Sequence, residues 1–323
     1  MFLSRSTHCY AYFLSVFIEA FASTVSMDGC MLVDNALSKL EFIRLLLSHL
    51  VVHNTSLLRT TTLNTGLFFV TAIQESTVWI SRLKAEELHA VLIIVVQSEA
   101  ILENSNFISA SKPLIESING TSTIGSSTFS GVSLGVDSFI QCEDSSTLSV
   151  LESQFIEVSG TGSIFNVQET HTTFERVTIN GTSSVRGVFG FESMITVTES
   201  NFNNLRAAER GGAFLLHACN TMVARSNFSD NQAEEGGAVF FSCKEDEEEI
   251  TDCALTLSAN YFSENKASKA GGALSYDLFK PKMTGERNKF SRNKAPYGSD
   301  ISSYGAEIKG PSETLFTNIV SGQ

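Results

Sequence analysis

The stretch NFSDNQAEEGGAVF, residues 227–240, decides the fold because it recurs. Related units are NFNNLRAAERGGAF from Asn201, YFSENKASKAGGAL from Tyr261 and KFSRNKAPYGSDI from Lys289. Phe202, Phe228, Phe262 and Phe290 open the units, and glycine turns follow at Gly211-Gly212, Gly236-Gly237, Gly271-Gly272 and Gly298. The Phe-to-Gly offset is nine, eight, nine and eight residues, whereas successive phenylalanines lie 26, 34 and 28 apart. A constant offset inside a variable period means that one arc of each unit is fixed and insertions enter elsewhere. Stacked short strands meet that description: rungs repeat about every 4.8 Å, each strand paired above and below.

The residue types agree. Phe at one position of every rung gives an interior ladder of rings. Asn231, Asn265 and Asn293 each follow their Phe by three residues, where stacked amides hydrogen-bond along the axis. The glycine pair allows a tight bend, and the adjoining Ala suits a crowded inner corner. Upstream, Phe107, Phe129, Phe155, Phe174 and Phe202 carry a weaker version at spacings of 22, 26, 19 and 28. Earlier still, LFFVTA (67–72), TVWISRL (77–83) and AVLIIVV (90–96) read as strands without the glycine mark.

The pairing of Phe-x-x-Asn with Gly-Gly-Ala resembles the repeat of chlamydial polymorphic membrane proteins. It covers residues 200–305 well and 100–200 loosely. The resemblance implies a right-handed parallel β-helix of the pectin-lyase-like type, all-β, in an extracellular adhesive or structural passenger. Two departures stand out. Phe202 is followed by Asn203-Asn204-Leu205, and the last unit has Gly298-Ser299-Asp300 in place of Gly-Gly-Ala. The family's membrane barrel has no counterpart in this sequence, so an autotransporter role is not carried over.

The expected organisation is a secretory signal peptide over 1–22, an N-terminal cap over 23–55, a β-helix over 56–310 and a tail over 311–323. Residues 9–18 are apolar after Arg5, and Ala20-Phe21-Ala22 supplies a cleavage pattern. Within the cap, Leu37, Leu40 and Leu47 are spaced as on a short helix that would blunt an open edge, with a further pair of strands as the alternative. No apolar run reaches the roughly 18 residues of a transmembrane helix.

A net charge of −13, from 22 basic and 35 acidic residues, argues against nucleic acid. The basic residues Lys266, Lys269, Lys280, Lys282, Arg287, Lys289, Arg292 and Lys294 read as a solvated face. Of the six cysteines, Cys243 and Cys253 flank the acidic run 244–249, so a disulfide there would close an acidic loop. Cys219 could instead stack with Cys243, or all could be buried thiols. A disulfide would require an oxidising compartment. Asn54, Asn119, Asn180 and Asn227 head glycosylation sequons.

Chemistry is harder to find. Arg-x-Lys occurs at 82–84, 287–289 and 292–294, but no acidic motif accompanies it. Asp137 and Glu143-Asp144 have no basic residue near them in sequence. The acidic run, with Asp252, lacks the alternation of a calcium loop. His49 and His53 have the spacing of zinc ligands on a helix but lack the partnering Glu. No catalytic residue, cofactor or metal site is assigned. The expected role is a non-enzymatic, secreted or cell-surface β-helix that binds a protein or carbohydrate. The alternatives are a carbohydrate-active enzyme of the pectin-lyase-like type and an inactive fragment of a large surface family.

Overall fold

A computed structural model describes residues 10–12, 18–33, 36–37, 41–62, 68–89, 91–111, 113–243, 253–277, 281–284, 287–303 and 320–321. The described chain is a right-handed parallel β-helix, all-β, and no helix occurs among the described residues. It divides into two compact units, Met1–Val158 and Ser159–Gln323.

In the first unit, Val91–Val96, Glu99–Glu103 and Asn106–Ile108 make one coil. Each pairs in parallel with its counterpart in the next coil: Ile115–Ile118, Thr121–Gly125 and Thr128–Ser130. Repetition of this order builds a first, a second and a third sheet. Side chains alternate, as strands require. Ala100 and Leu102 are fully buried, while Glu99 is exposed. Phe129 stacks between Phe107 and Phe155, with centroids 5.0 and 4.6 Å away.

The chain turns between sheets at residues with positive φ, such as Gln97 (49°) and Asn104 (51°). A buried serine follows each. At the first corner, Ser76 N–H donates to Ser98 Oγ (3.2 Å), and Ser98 Oγ donates to Val96 O (2.9 Å). At the second corner, Leu83, Ser105 and Ser127 N–H donate in turn to Ser105, Ser127 and Ser153 Oγ at 3.1–3.2 Å. These serine ladders satisfy N–H groups that the strand pairing leaves over at the bends.

Of the two readings of 23–55, the described residues follow the strands; 34–35 and 38–40, Leu40 included, lie outside the described residues. Thr24–Asp28 pairs with His49–His53, which pairs with Thr77–Ser81. Glu41–Leu46 pairs with Phe68–Ile73. The alternation of Ile43, Leu45, Leu50 and Val52, all buried, outweighs the looser leucine spacing. Leu47 sits in the corner with φ 50° and is 43% exposed. The β-helix therefore begins before Ser56. Within the expected signal peptide, Tyr10–Tyr12 and Ile18–Phe21 are strands, the latter paired with Ile43–Leu46. The rest of 1–17 lies outside the described residues, as does the tail apart from Val320–Ser321.

In the second unit, Phe202, Phe228, Phe262 and Phe290 stack in register on the third sheet at 5.1, 4.9 and 5.0 Å. Phe174 does not belong to that column. It lies on the second sheet, in His171–Glu175, and Ile179 takes the position beneath Phe202. Beyond the phenylalanines, Leu205, Asn231 and Asn265 N–H donate in turn to Asn231, Asn265 and Asn293 Oδ1 at 3.0–3.1 Å.

The glycine pair is sterically obligatory. Gly236 has φ 59°, and a Cβ there would lie 2.1 Å from Val239 O. A Cβ on Gly237 would meet Gly272 O of the next coil at 2.2 Å. Ala238 behind them is fully buried. The alternation of eight and nine residues from Phe to Gly also has a structural cause. Gln232–Glu235 pairs with Lys266–Ala270 through an irregularity after Ala233, where the longer arc absorbs its extra residue. In this unit, insertions enter between the first and second sheets. One lies between Val239–Ser242 and Ala254–Ser258, where Cys243 and Cys253 form a disulfide with Cα atoms 6.0 Å apart. Residues 244–252, the acidic run and Asp252 included, lie outside the described residues.

Candidate ligand-binding groove

The first corner of the first unit forms a groove of about 740 Å³, lined by residues of four consecutive turns, 47, 74–77, 97–99 and 119–121. Leu47, Gln74, Gln97 and Asn119 all have φ between 47° and 51°, which projects their side chains outward from the bend. Backbone bonds fix the stack: Gln74 N–H donates to Val96 O (3.1 Å), Gln97 to Ile118 O (3.1 Å) and Asn119 to Glu143 O (3.2 Å). The floor is Ser76, Ser98 and Gly120, all buried. Thr77, Glu99 and Thr121 pair in register along one wall. Every backbone donor of the lining except Ser98 N–H is bonded within the stack, so the side chains supply most of the free hydrogen-bonding groups.

Two outward apolar columns flank this polar strip. Leu46, Ile73, Val96 and Ile118 are in register on the first sheet. Val51, Trp79 and Ile101 are in register on the second. Trp79 is 45% exposed, and its Nε1 donates to Glu103 Oε1 (3.1 Å), which holds the indole in place.

A separate acidic cluster lies on the first sheet. Glu116 pairs in register with Gln141, whose Nε2 donates to Glu143 Oε1 at 2.7 Å. Burial holds the Glu116 carboxyl above its ordinary range, and the negative charges of Asp137 and Glu143 push it further. A carboxyl that keeps its proton longer can act as a general acid.

In the second unit, Arg186, Arg210, His217, Glu235 and Asp277 gather outside the first sheet. Arg186 Nε donates to Gly211 O (3.3 Å) and Nη2 to Arg210 O (3.2 Å). Arg210 Nε donates to Glu235 Oε2 (3.0 Å), and its guanidinium lies 4.5 Å from the Phe240 ring centroid. Asp277 accepts from Ser242 Oγ and from Cys243 N–H (3.3 Å). Burial and then Arg210 push the His217 pKa down, against the pull of Asp277. These bonds tie neighbouring coils together across the glycine turn.

The sequence-derived candidates are distributed as follows. The Phe, Asn and Gly residues of the repeat form interior and corner ladders. Among the sequon residues, Asn54, Asn119 and Asn180 are exposed, whereas Asn227 is half-buried. Asn119 lies in the groove. His49 and His53 are on one strand, which places them about 13 Å apart. His53 Nδ1 is 2.7 Å from Ser81 Oγ. Of the basic residues near the C-terminus, Lys269 pairs with Glu234 and Arg292 with Glu264 (2.8 Å); Lys280 is outside the described residues. Cys142 and Cys219 are buried free thiols. Sequence reasoning did not single out Gln74, Glu75, Gln97, Glu99, Trp79 or Glu116. The available signal was an amide at each corner, in QES (74–76), QSE (97–99) and NGT (119–121).

A profile described as "Right handed beta helix region" matches residues 138–318, more than half of the chain, so the protein belongs to the right-handed β-helix family. No curated protein matches the sequence. Among solved structures, it is similar to the Streptococcus pneumoniae surface protein and adhesin PfbA. That match has 12% identity over 93% of this chain and 91% of that one, with a TM-score of 0.47. It is also similar to the periplasmic alginate epimerase AlgG, at 11% identity over 83% and 76% with TM-score 0.36. A third is the GH136 lacto-N-biosidase from Eubacterium ramulus, at 10% identity over 82% and 51% with TM-score 0.37.

Proposed function

We propose that this protein is a non-enzymatic binding protein that works outside the cell or at its surface. The observation that carries the reading is the corner groove: a preformed, solvent-open strip of amides, hydroxyls and carboxylates between apolar columns. Such a surface suits recognition of a ligand. The Cys243–Cys253 disulfide supports an oxidising compartment. The resemblance of the repeat to chlamydial polymorphic membrane proteins points the same way. The test is to present purified protein with arrays of cell-surface glycans and proteins, and to assay reducing-end release on the same polysaccharides. Retention without turnover is expected; turnover of any polysaccharide would overturn the reading.

One observation favours a second reading, a carbohydrate-active enzyme. Glu116, Asp137 and Glu143 gather three carboxyl groups at one parallel sheet, and Glu116 is held towards its protonated form. Polysaccharide cleavage abolished by Glu116→Gln would establish it.

A further inference from the structure

We infer that the corner groove binds a linear glycan carrying free amino groups, such as a polymer of glucosamine, and rejects polyuronates. The inference rests on the binding reading above and adds the ligand class.

Three features of the groove lead there. First, its polar groups are available. The side-chain amides of Gln74, Gln97 and Asn119, the hydroxyls of Thr77 and Thr121 and the carboxylates of Glu75 and Glu99 line it. All seven lie outside the hydrogen bonds and ion pairs made by the other described side chains. The amide recurs in three consecutive coils, about 4.8 Å apart along the stack, while the wall beside it runs Thr77, Glu99, Thr121. A chain with one repeating unit can use such a row; a peptide seeking backbone pairing finds little to pair with, because every N–H of the lining except that of Ser98 is bonded within the stack.

Second, the strip is amphipathic across its width. Ile73, Val96 and Ile118 stand on one side. Thr77 and Trp79 lie two residues apart on the same outward face of one strand. A pyranose ring is built in the same way, with apolar C–H faces and polar edges. An exposed indole anchored by Glu103 gives it a flat apolar platform that is already ordered.

Third, the charge is one-sided. Glu75 and Glu99 are the charged residues of the lining, and neither Lys nor Arg joins them. The chain as a whole carries −13. Polyuronates bring one negative charge per sugar and meet repulsion at the two central coils, where amino groups meet the carboxylates of Glu75 and Glu99.

Trp79 is the single tryptophan of the chain, so its fluorescence reports on this face alone. The experiment uses full-length protein from a host that adds no N-glycans, leaving Asn119 free. It is titrated at low salt with a glucosamine hexamer, a neutral cello-oligosaccharide of equal length and an oligouronate, by calorimetry and Trp79 emission. The glucosamine hexamer should bind most tightly, with a salt-sensitive affinity, and the oligouronate should not bind. Glu75→Gln with Glu99→Gln should weaken the hexamer about tenfold while leaving the neutral oligomer unchanged. Gln97→Ala should weaken both. Unfolding midpoints of these surface variants should match the parent, which separates lost contacts from lost fold.

Absence of hexamer binding, equal binding of the oligouronate, or indifference to the paired glutamine substitutions would overturn the inference. If a different class of ligand is retained without turnover, the amino-glycan fails while the binding reading stands. If the hexamer is cleaved, the binding reading fails.

Discussion

Asn265 Oδ1 accepts two hydrogen bonds from Asn231, one from its backbone N–H and one from its Nδ2, both at 3.0 Å. Asn265 Nδ2 in turn donates to Phe228 O (2.9 Å) and Asn293 Oδ1 (3.0 Å). Both asparagines are fully buried. Replacing Asn265 by Ala leaves buried donors and an acceptor without partners, at about 1–3 kcal/mol for each group stranded. Asn265→Ala should therefore destabilise the second unit by at least about 2 kcal/mol. Urea denaturation would check this. A loss under about 0.5 kcal/mol, typical of a surface substitution, would contradict the ladder.

The glycines separate two kinds of position. Gly237 packs against the backbone of the next coil, with Gly272 O and Lys266 O 2.2 and 2.6 Å from a would-be Cβ. Gly125 has no atom within 4 Å of its Cβ position. Gly125→Ala should be neutral to slightly stabilising, by up to about 1 kcal/mol. Gly237→Ala should push coils apart and cost several-fold more than an ordinary surface change. Parallel thermal melts of the two variants test the contrast; equal midpoints would refute it.

These two cases also mark what the sequence discloses. Phe228, Asn231, Gly236 and Gly237 were legible because each position tolerates few residue types: a ring, an amide or no side chain at all. In the first unit, inward positions accept Val, Ile, Leu, Ala or Phe alike, so no repeat letter survives. The serine ladders through Ser98 and Ser105 were hidden because serine is abundant everywhere in this chain. The stretch 33–52 left helix and strands open because Leu37, Leu40 and Leu47 mimic helical spacing, whereas pairing with the neighbouring coils selects the alternation of Leu50 and Val52. The groove was less legible still. Its residues are exposed, coil geometry does not constrain their type, and Gln74, Gln97 and Asn119 meet only through the stacking of coils. Glu116 and Asp137 likewise approach one another only across coils.

Four of the six cysteines should sort into two chemical groups. Burial pushes the thiols of Cys142 and Cys219 up to about 12, so almost no thiolate exists at neutral pH. Both should resist maleimide in the folded protein and react once it is denatured. Cys243 and Cys253 should stay unlabelled in denaturant until a reductant is added. Removing that cross-link, whose ends are 10 residues apart, should cost about 2–3 kcal/mol on the chain-entropy estimate. Mass spectrometry after sequential alkylation reads all four sites. Labelling of Cys219 in the folded protein, or of Cys243 without reductant, would refute this assignment.

Glu116 gives a pH-dependent prediction with a definite sign. Its folded pKa is raised above the ordinary 4.5, chiefly by burial and further by Asp137 and Glu143. Above pH 4.5 the unfolded carboxyl has lost its proton while the folded one still holds it. The folded state binds more protons in that window, and stability must fall as pH rises through it. Below the window both states are protonated and the difference disappears. Glu116→Gln removes the ionisation while keeping the shape, so it should raise the urea midpoint at pH 7 and leave it unchanged near pH 3.5. Comparing the variant with the parent at both pH values cancels the titration of the other carboxylates. An equal gain at both pH values would mean that the glutamine stabilises through packing and that the Glu116 carboxyl is not strained by its surroundings. A loss at pH 7 would mean that the Glu116 charge is stabilised by its environment, contrary to the acidic cluster described for the first sheet.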